Sequence, residues 1–559
     1  MTNSFLRKTS PVLLIVLLGA CASAPQQQSL EPVADYRPDA SYSMLMAEIA
    51  LQRQAYLVTA QEYLNAAEQS ADPEFAQRAT EYAYEHNYDI LALGGAQRWL
   101  ELQPDNLLAN EYAGRLYLRR NQLKPALTYW RASLGAGDLS RDEFLRVGAD
   151  MADEQNPVGA TYVLTRLVNE RPAASGLRMA LAYAALRAGA FDLSLASAEA
   201  VEVAEPDWIQ PQLIIPKALL SMGREYEAFT YLDDALSARV STTLELEYVR
   251  LLSAVGRHDE AMRRLLELGK LYGAQPELVR MHGLIAFAAG DLEAAEQDFE
   301  QLLSSGNHVY ESYFTLGRIA MLLGEYRRAI GYFERIRGSA YLVRARLSIS
   351  VAQETLGNEE AALELLQTFS EDYPRHALDV VGSEAQLLYR MGRVDEALAL
   401  YENASRLRPD VPALMLEYGA MLDLAGRYKD AIRLMQRAAE IAPKDSNVLN
   451  TLGYTLANRT RRYDEAYRLI RMALELDPDS AAVIDSMGWV LYRKGRLDES
   501  LSYLELAMSQ LEDPEIIAHL GEVLWASDER EQALATWDKG LIDYPDSQPL
   551  IETRQRFVP

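Results

Sequence analysis

Cysteine is nearly absent from this chain: Cys21 is the single one in 559 residues. No intramolecular disulfide is possible, and no thiolate metal site can be built. The six histidines, His86, His258, His282, His308, His376 and His519, stand singly. None falls into an H-E-x-x-H or similar ligand spacing, so no metal is called for. Phosphate-cradling loops of the G-x-x-x-x-G-K-[ST] or G-x-G-x-x-G kind are missing, as is a G-x-S-x-G nucleophile elbow. Carboxylates are plentiful, but no pair departs from an ordinary solvated helix face. The chain reads as non-enzymatic and without a cofactor.

Positive charge is also short. Lys and Arg number 55 against 81 Asp and Glu, a formal charge of −26 and a pI near 4.8. Such a surface repels phosphate backbones, which argues against nucleic acid. It repels an anionic headgroup layer too, so membrane attachment needs another cause. Acidic residues are interspersed with Arg and Lys, which suits solubility. Long alternating β-branched runs are missing, while Ala, Leu, Glu and Arg dominate; that favours helix.

The N-terminus supplies the other cause of attachment. Arg7 and Lys8 precede an apolar run, Pro11 to Leu18, of eight residues. That is far too short to span a bilayer but suits a secretory signal. It closes on Leu18-Gly19-Ala20-Cys21, which resembles the bacterial lipobox. The resemblance implies a lipoprotein signal peptide over 1–20, cleavage before Cys21 and lipidation (palmitate) of that residue. Ala22 follows, where an Asp would retain a Gram-negative lipoprotein at the inner membrane. The expected location is therefore the outer membrane, lipid-anchored and facing the periplasm. Residues 21–40, rich in Pro, Gln and Ala and without a period, read as a lipidated N-terminus and flexible tether.

Beyond the tether the chain repeats. Gly189, Gly223, Gly256, Gly290, Gly324, Gly357, Gly392 and Gly426 are separated by 33 to 35 residues, and Gly495 follows two steps on. Ala228, Ala261, Ala295, Ala329, Ala362, Ala397, Ala431 and Ala466 run in phase. A period near 34 is that of a helix-turn-helix unit. The glycines are expected at the turn, where a positive φ costs other residues more. The alanines are expected on the second helix, where a larger side chain would hold the helices apart.

These positions resemble the tetratricopeptide pattern. One unit carries it on Met415, Tyr418, Gly419, Leu422, Gly426, Tyr428, Ala431, Met435, Ala438 and Pro443. The unit from Ser446 holds one extra residue within Asn458 to Arg462. Fifteen units start near Ser41, Pro73, Leu107, Arg141, Ser175, Ile209, Thr242, Pro276, Tyr310, Val343, Leu378, Pro412, Ser446, Ala481 and Pro514. Residues 41–174 read as divergent helical repeats, since the inter-helix glycine is missing there. Residues 175–547 read as tetratricopeptide repeats and 548–559 as a short cap or C-terminal tail. The expected fold is all-α, with repeats stacked in a right-handed superhelical solenoid whose first helices line the concave side.

Positions two, five, nine, twelve and thirteen of a first helix face the groove in this family. Near the C-terminus they include Asn447, Asn450, Tyr454 and Asn458 of one unit and Asp485, Trp489, Tyr492 and Arg493 of the next. Amides can pair with an extended peptide backbone, and Trp, Tyr and Arg are common interface anchors. Trp489 and Tyr492 fit equally with packing between neighbouring helices. The lipobox, the length of the ribbon and the run DSMGWVLYRKG at Asp485 to Gly495 resemble outer-membrane tetratricopeptide lipoproteins of gamma-proteobacteria. Among these is the type that partners a periplasmic C-terminal processing protease. That resemblance implies an adaptor that binds the protease and presents substrates such as cell-wall hydrolases. The alternative is a scaffold for a secretion, pilus or exopolysaccharide export complex. Partners on either reading are proteins or peptides, with the membrane reached through the lipid alone.

Overall fold

Each helix pair of the computed structural model turns on one backbone device. At Gly426 the chain enters the left-handed region (φ 77°) and the next amide, that of Arg427, donates back to the Leu422 carbonyl at 2.8 Å. The last carbonyls of the first helix are thereby satisfied within the turn. The other ladder glycines take φ between 73° and 83° and close the same way. The first three pairs, which lack that glycine, use Gln54, Asn87 and Asn121 at φ 57°, 57° and 53°, and Asp528 serves the last pair. Asparagine bears the left-handed conformation better than most residues, so the device persists where its usual signature is missing. Two pairs depart from it. The turn after Ala152 stays right-handed, and Asn156 ties it to the preceding pair by donating to the Leu118 carbonyl at 3.0 Å. The extra residue of the unit from Ser446 lets Thr460 remain extended.

The structure describes residues 39–135, 139–273, 275–409 and 411–558. These hold thirty-one α-helices and one three-residue 3₁₀ turn, and no strand among the described residues. Fifteen consecutive pairs run from Ala40 to Asp543, and each first helix begins within one residue of the unit starts read from the sequence. Proline opens several helices, as at Pro73, Pro276, Pro412 and Pro514, where its missing amide costs nothing. Asp445 and Asn106 cap others by accepting a backbone amide. Residues 1–38, which include the lipobox, Cys21 and nearly all of the tether, lie outside the described residues.

Packing follows the alanine ladder. All eight ladder alanines are fully buried. On the facing helix a second small residue lets the backbones close: a methyl at Gly453 would sit 2.6 Å from Ile470 Cγ1, and one at Gly521 would sit 2.1 Å from Trp537 Nε1. The core is accordingly a string of clusters shared by neighbouring pairs. One runs through Met415, Met435, Leu449, Leu452, Ile470 and Met487 of three successive units.

Two local features depart from the regular repeat. The second helix of the ninth pair, Tyr326–Phe333, has eight residues where the next, Glu359–Asp372, has fourteen. Arg346 reaches across to its frayed end, donating to the carbonyls of Phe333 (3.4 Å) and Ile336 (3.2 Å). The stretch 548–559, read as a cap or tail, contains a helix, Gln548–Phe557. Its Leu550 is fully buried and its Phe557 ring lies 5.7 Å from that of Trp537. It closes the apolar face that the last pair would otherwise leave open.

Candidate functional site

The sequence-selected residues sit on two consecutive first helices, Ser446–Arg459 and Ala481–Arg493. The next first helix, Pro514–Ala526, and the capping helix complete their surroundings. Asn458, Trp489, Tyr492 and Arg493 meet in one cleft of about 450 Å³, together with Glu522 and Arg556. Tyr454 and Asp485 lie beside it, joined to it through His519. Asn447 and Asn450 do not line it. Asn447 is exposed, and Asn450 is half-buried with its carbonyl oxygen unpartnered among the described residues.

The cleft has a buried polar base. His519 donates from Nδ1 to both carboxylate oxygens of Asp485 at 3.0 Å. Its ring stacks on Trp489, with centroids 4.1 Å apart and 22° between planes. All three are deeply buried: Asp485 and Trp489 are 5% exposed and His519 7%. Trp489 therefore contributes an indole face and not a protruding anchor, and its Nε1 is buried without a partner among the described residues. Burial by itself depresses the His519 pKa. The adjoining Asp485 carboxylate, helped by Glu515 and Glu522, outweighs burial and raises it above the ordinary value. The fold thus favours the protonated ring more than water does, with acids from two helices around it.

The walls are tied to that base. Tyr454 donates its hydroxyl to Glu515 at 2.6 Å, and burial followed by that carboxylate pushes the phenol pKa far up. Tyr492 donates to Glu522 at 3.2 Å, and Arg556 reaches the other oxygen of Glu522, also at 3.2 Å. Arg493 lies over the rings of Tyr463 (5.3 Å) and Trp489 (5.8 Å) and donates to the Tyr463 hydroxyl at 3.2 Å. Among the described residues it has no carboxylate partner, so its remaining donors are available at the cleft. Among the lining residues two guanidiniums face one carboxylate, above a base where His519 meets Asp485 and Glu515. The arrangement suits binding of a polar or acidic group flanked by an aromatic face. No group of three potential metal ligands occurs among the described residues.

Sequence reasoning missed His519, Glu515, Glu522 and Arg556. Glu515 and Glu522 occupy positions two and nine of the fifteenth unit, so the groove rule carried one unit further would have found them. His519 stands at position six, outside that rule. Arg556 lies in the segment read as a cap or tail.

Comparison with known proteins agrees with the fold. A family model described as tetratricopeptide repeat matches residues 280–341, 314–377 and 383–446. Its fold is a helical repeat solenoid, and repeats of the matched kind typically serve as protein-interaction scaffolds. The TPR repeat-containing protein PA4667 of Pseudomonas aeruginosa is 28% identical over 579 residues, covering 93% of this chain and 91% of that protein. Solved structures with similarity include the APC/C hetero-tetramer Cut9–Hcn1, at 15% identity over 87% of this chain and 96% of that one, with a TM-score of 0.30. Yeast Tom70 matches at 13% identity over 92% of this chain and 94% of that one, with a TM-score of 0.34. Both scores are low. Among the described residues no helix is long and apolar enough to cross a membrane.

Proposed function

We propose that the protein is a lipid-anchored adaptor of the outer membrane, facing the periplasm, that brings substrates such as cell-wall hydrolases to a periplasmic processing protease. The observation that carries the protein-binding part is the cleft of Asn458, Trp489, Tyr492 and Arg493, with an aromatic face and free guanidinium donors, at the capped end of the solenoid. The lipobox ending at Cys21 supports the anchor, and the likeness to protease-partner lipoproteins supports the choice of client.

The test has two arms. Purified processing protease and a candidate cell-wall hydrolase are mixed with and without the full chain, and proteolysis is followed over time. Acceleration is expected, and none with any co-purifying protease would leave a secretion or export scaffold as the better reading. Arg493→Ala is expected to leave helicity and melting unchanged while weakening client binding about tenfold. Undiminished binding by that variant would remove the cleft from the contact. Cys21→Ser is expected to abolish palmitate labelling in cells.

A further inference from the structure

Acids outnumber bases in this chain, and many of its arginines are tied to a carboxylate. Two on the first helices of the ninth and tenth pairs are not. Arg318, on Val309–Leu322, holds its guanidinium 4.5 Å from the centre of the Phe287 ring. Arg344, on Leu342–Thr355, holds its own 4.7 Å from Phe314 and 5.0 Å from Tyr341. Both are exposed, and among the described residues neither has a hydrogen bond or a carboxylate partner. Glu311, which faces Tyr341 together with Arg344, is already taken: it pairs with Arg280 at 3.0 Å.

The two stacks join three first helices on one face. Phe314, Arg318 and Leu322 recur every four residues, so they share one side of their helix. Arg344 packs onto the first of them from the next helix. Leu322 is 65% exposed and Val351, two turns beyond Arg344, is 52% exposed. An aromatic ring beneath a guanidinium restrains it while leaving its planar fork of donors unused. Such a fork matches a carboxylate with two parallel hydrogen bonds.

We propose that this face is a docking surface for an acidic, apolar-bearing segment of a protein partner. Carboxylates of the segment pair with Arg318 and Arg344, and its apolar side chains cover Leu322 and Val351. Charge complementarity selects the occupant: these are unpaired cations in a chain whose net charge is −26. The apolar neighbours select a peptide over a phosphate polymer, which has no side chain to set against them. The surface lies several pairs before the C-terminal cleft and does not depend on it.

The experiment uses the full chain and a fluorescently labelled peptide in which Asp alternates with Leu and Val. Anisotropy is read beside two control peptides, one with Asn for Asp and one with Ser for the apolar residues. The acidic apolar peptide is expected to bind best and to weaken with added salt. The double variant Arg318→Ala, Arg344→Ala is expected to weaken it about tenfold with helicity and melting unchanged. Arg493→Ala is expected to leave it alone. Equal binding of the Asn peptide, an unaffected double variant, or equal competition by oligo-dT would overturn the proposal. So would loss of binding on Arg493→Ala with the double variant intact, since the peptide would then sit in the C-terminal cleft.

Discussion

A buried imidazolium is costly unless its charge is answered, and at His519 the answer comes from Asp485 on the preceding first helix. The pKa of His519 is raised in the fold, above the value of about 6.5 that it has when unfolded. Its contribution to stability is therefore complete below that unfolded value and is lost as pH rises through the folded pKa. Amide exchange over the last three pairs is expected to speed up, relative to the rest of the chain, as pH is raised from mildly acid to alkaline after correction for intrinsic rates. Asp485→Asn should flatten that difference and destabilise the C-terminal end by about 3 kcal/mol, because it strands the partner charge. A pH-independent difference between the two halves would contradict the assignment. Trp489→Ala belongs to the same scale. With the indole buried against His519, truncation is expected to cost about 3–5 kcal/mol of local stability, read as a lower melting of the C-terminal unit.

Helix spacing is set by which residues are small, and the two helices of a pair give this up in opposite places. The second-helix alanines admit the first helix, and the first-helix glycines admit large side chains such as Ile470 and Trp537. Gly521→Ala would place a methyl against the Trp537 ring, whose flat face is held by Trp525 and Phe557 and cannot swing aside. The expected loss is about 1–3 kcal/mol. It should appear as faster exchange in Pro514–Ala526 and Arg530–Asp543 with the middle repeats untouched. The turns are more forgiving. Gln54, Asn87, Asn121 and Asp528 do the work of the ladder glycines at a modest conformational cost, which is why the first pairs fold as helix-turn-helix without the glycine that marks later ones.

A solenoid whose pairs touch mainly their neighbours, with a few bonds such as Tyr454 to Glu515 that skip one, has no single core to lose. Denaturant unfolding of the whole chain is expected to be broad, with an m-value well below that of a cooperative protein of this length. Exchange protection should be graded, weakest toward the N-terminal pairs, whose clusters rest on alanines, as at Ala60, Ala83, Ala92 and Ala96. A single sharp transition that agrees between fluorescence, circular dichroism and calorimetry would count against that picture. The tenth pair is a natural boundary to watch. Its Arg346 holds the shortened helix Tyr326–Phe333 by two carbonyl bonds, so the two sides are joined there by fewer helical turns than elsewhere.

The repeat itself was legible in the one-dimensional chain. Turn conformation depends on a few adjacent residues, so a glycine every 34 positions and a phased alanine mark units whose first helices begin within a residue of their places. The groove rule likewise brought Asn458, Trp489, Tyr492 and Arg493 to one cleft. What the sequence could not decide is which of those faces water, because that depends on how far each helix is rotated against the next. Trp489 is roofed by His519 from the following pair, Glu522 is engaged by Arg556 from the segment after the last pair, and Arg318 rests on Phe287 from the preceding pair. Local periodicity sets the identity and order of the elements. Burial, ion pairing and the charge left unpaired are properties of neighbours in space, and only the stacked structure assigns them.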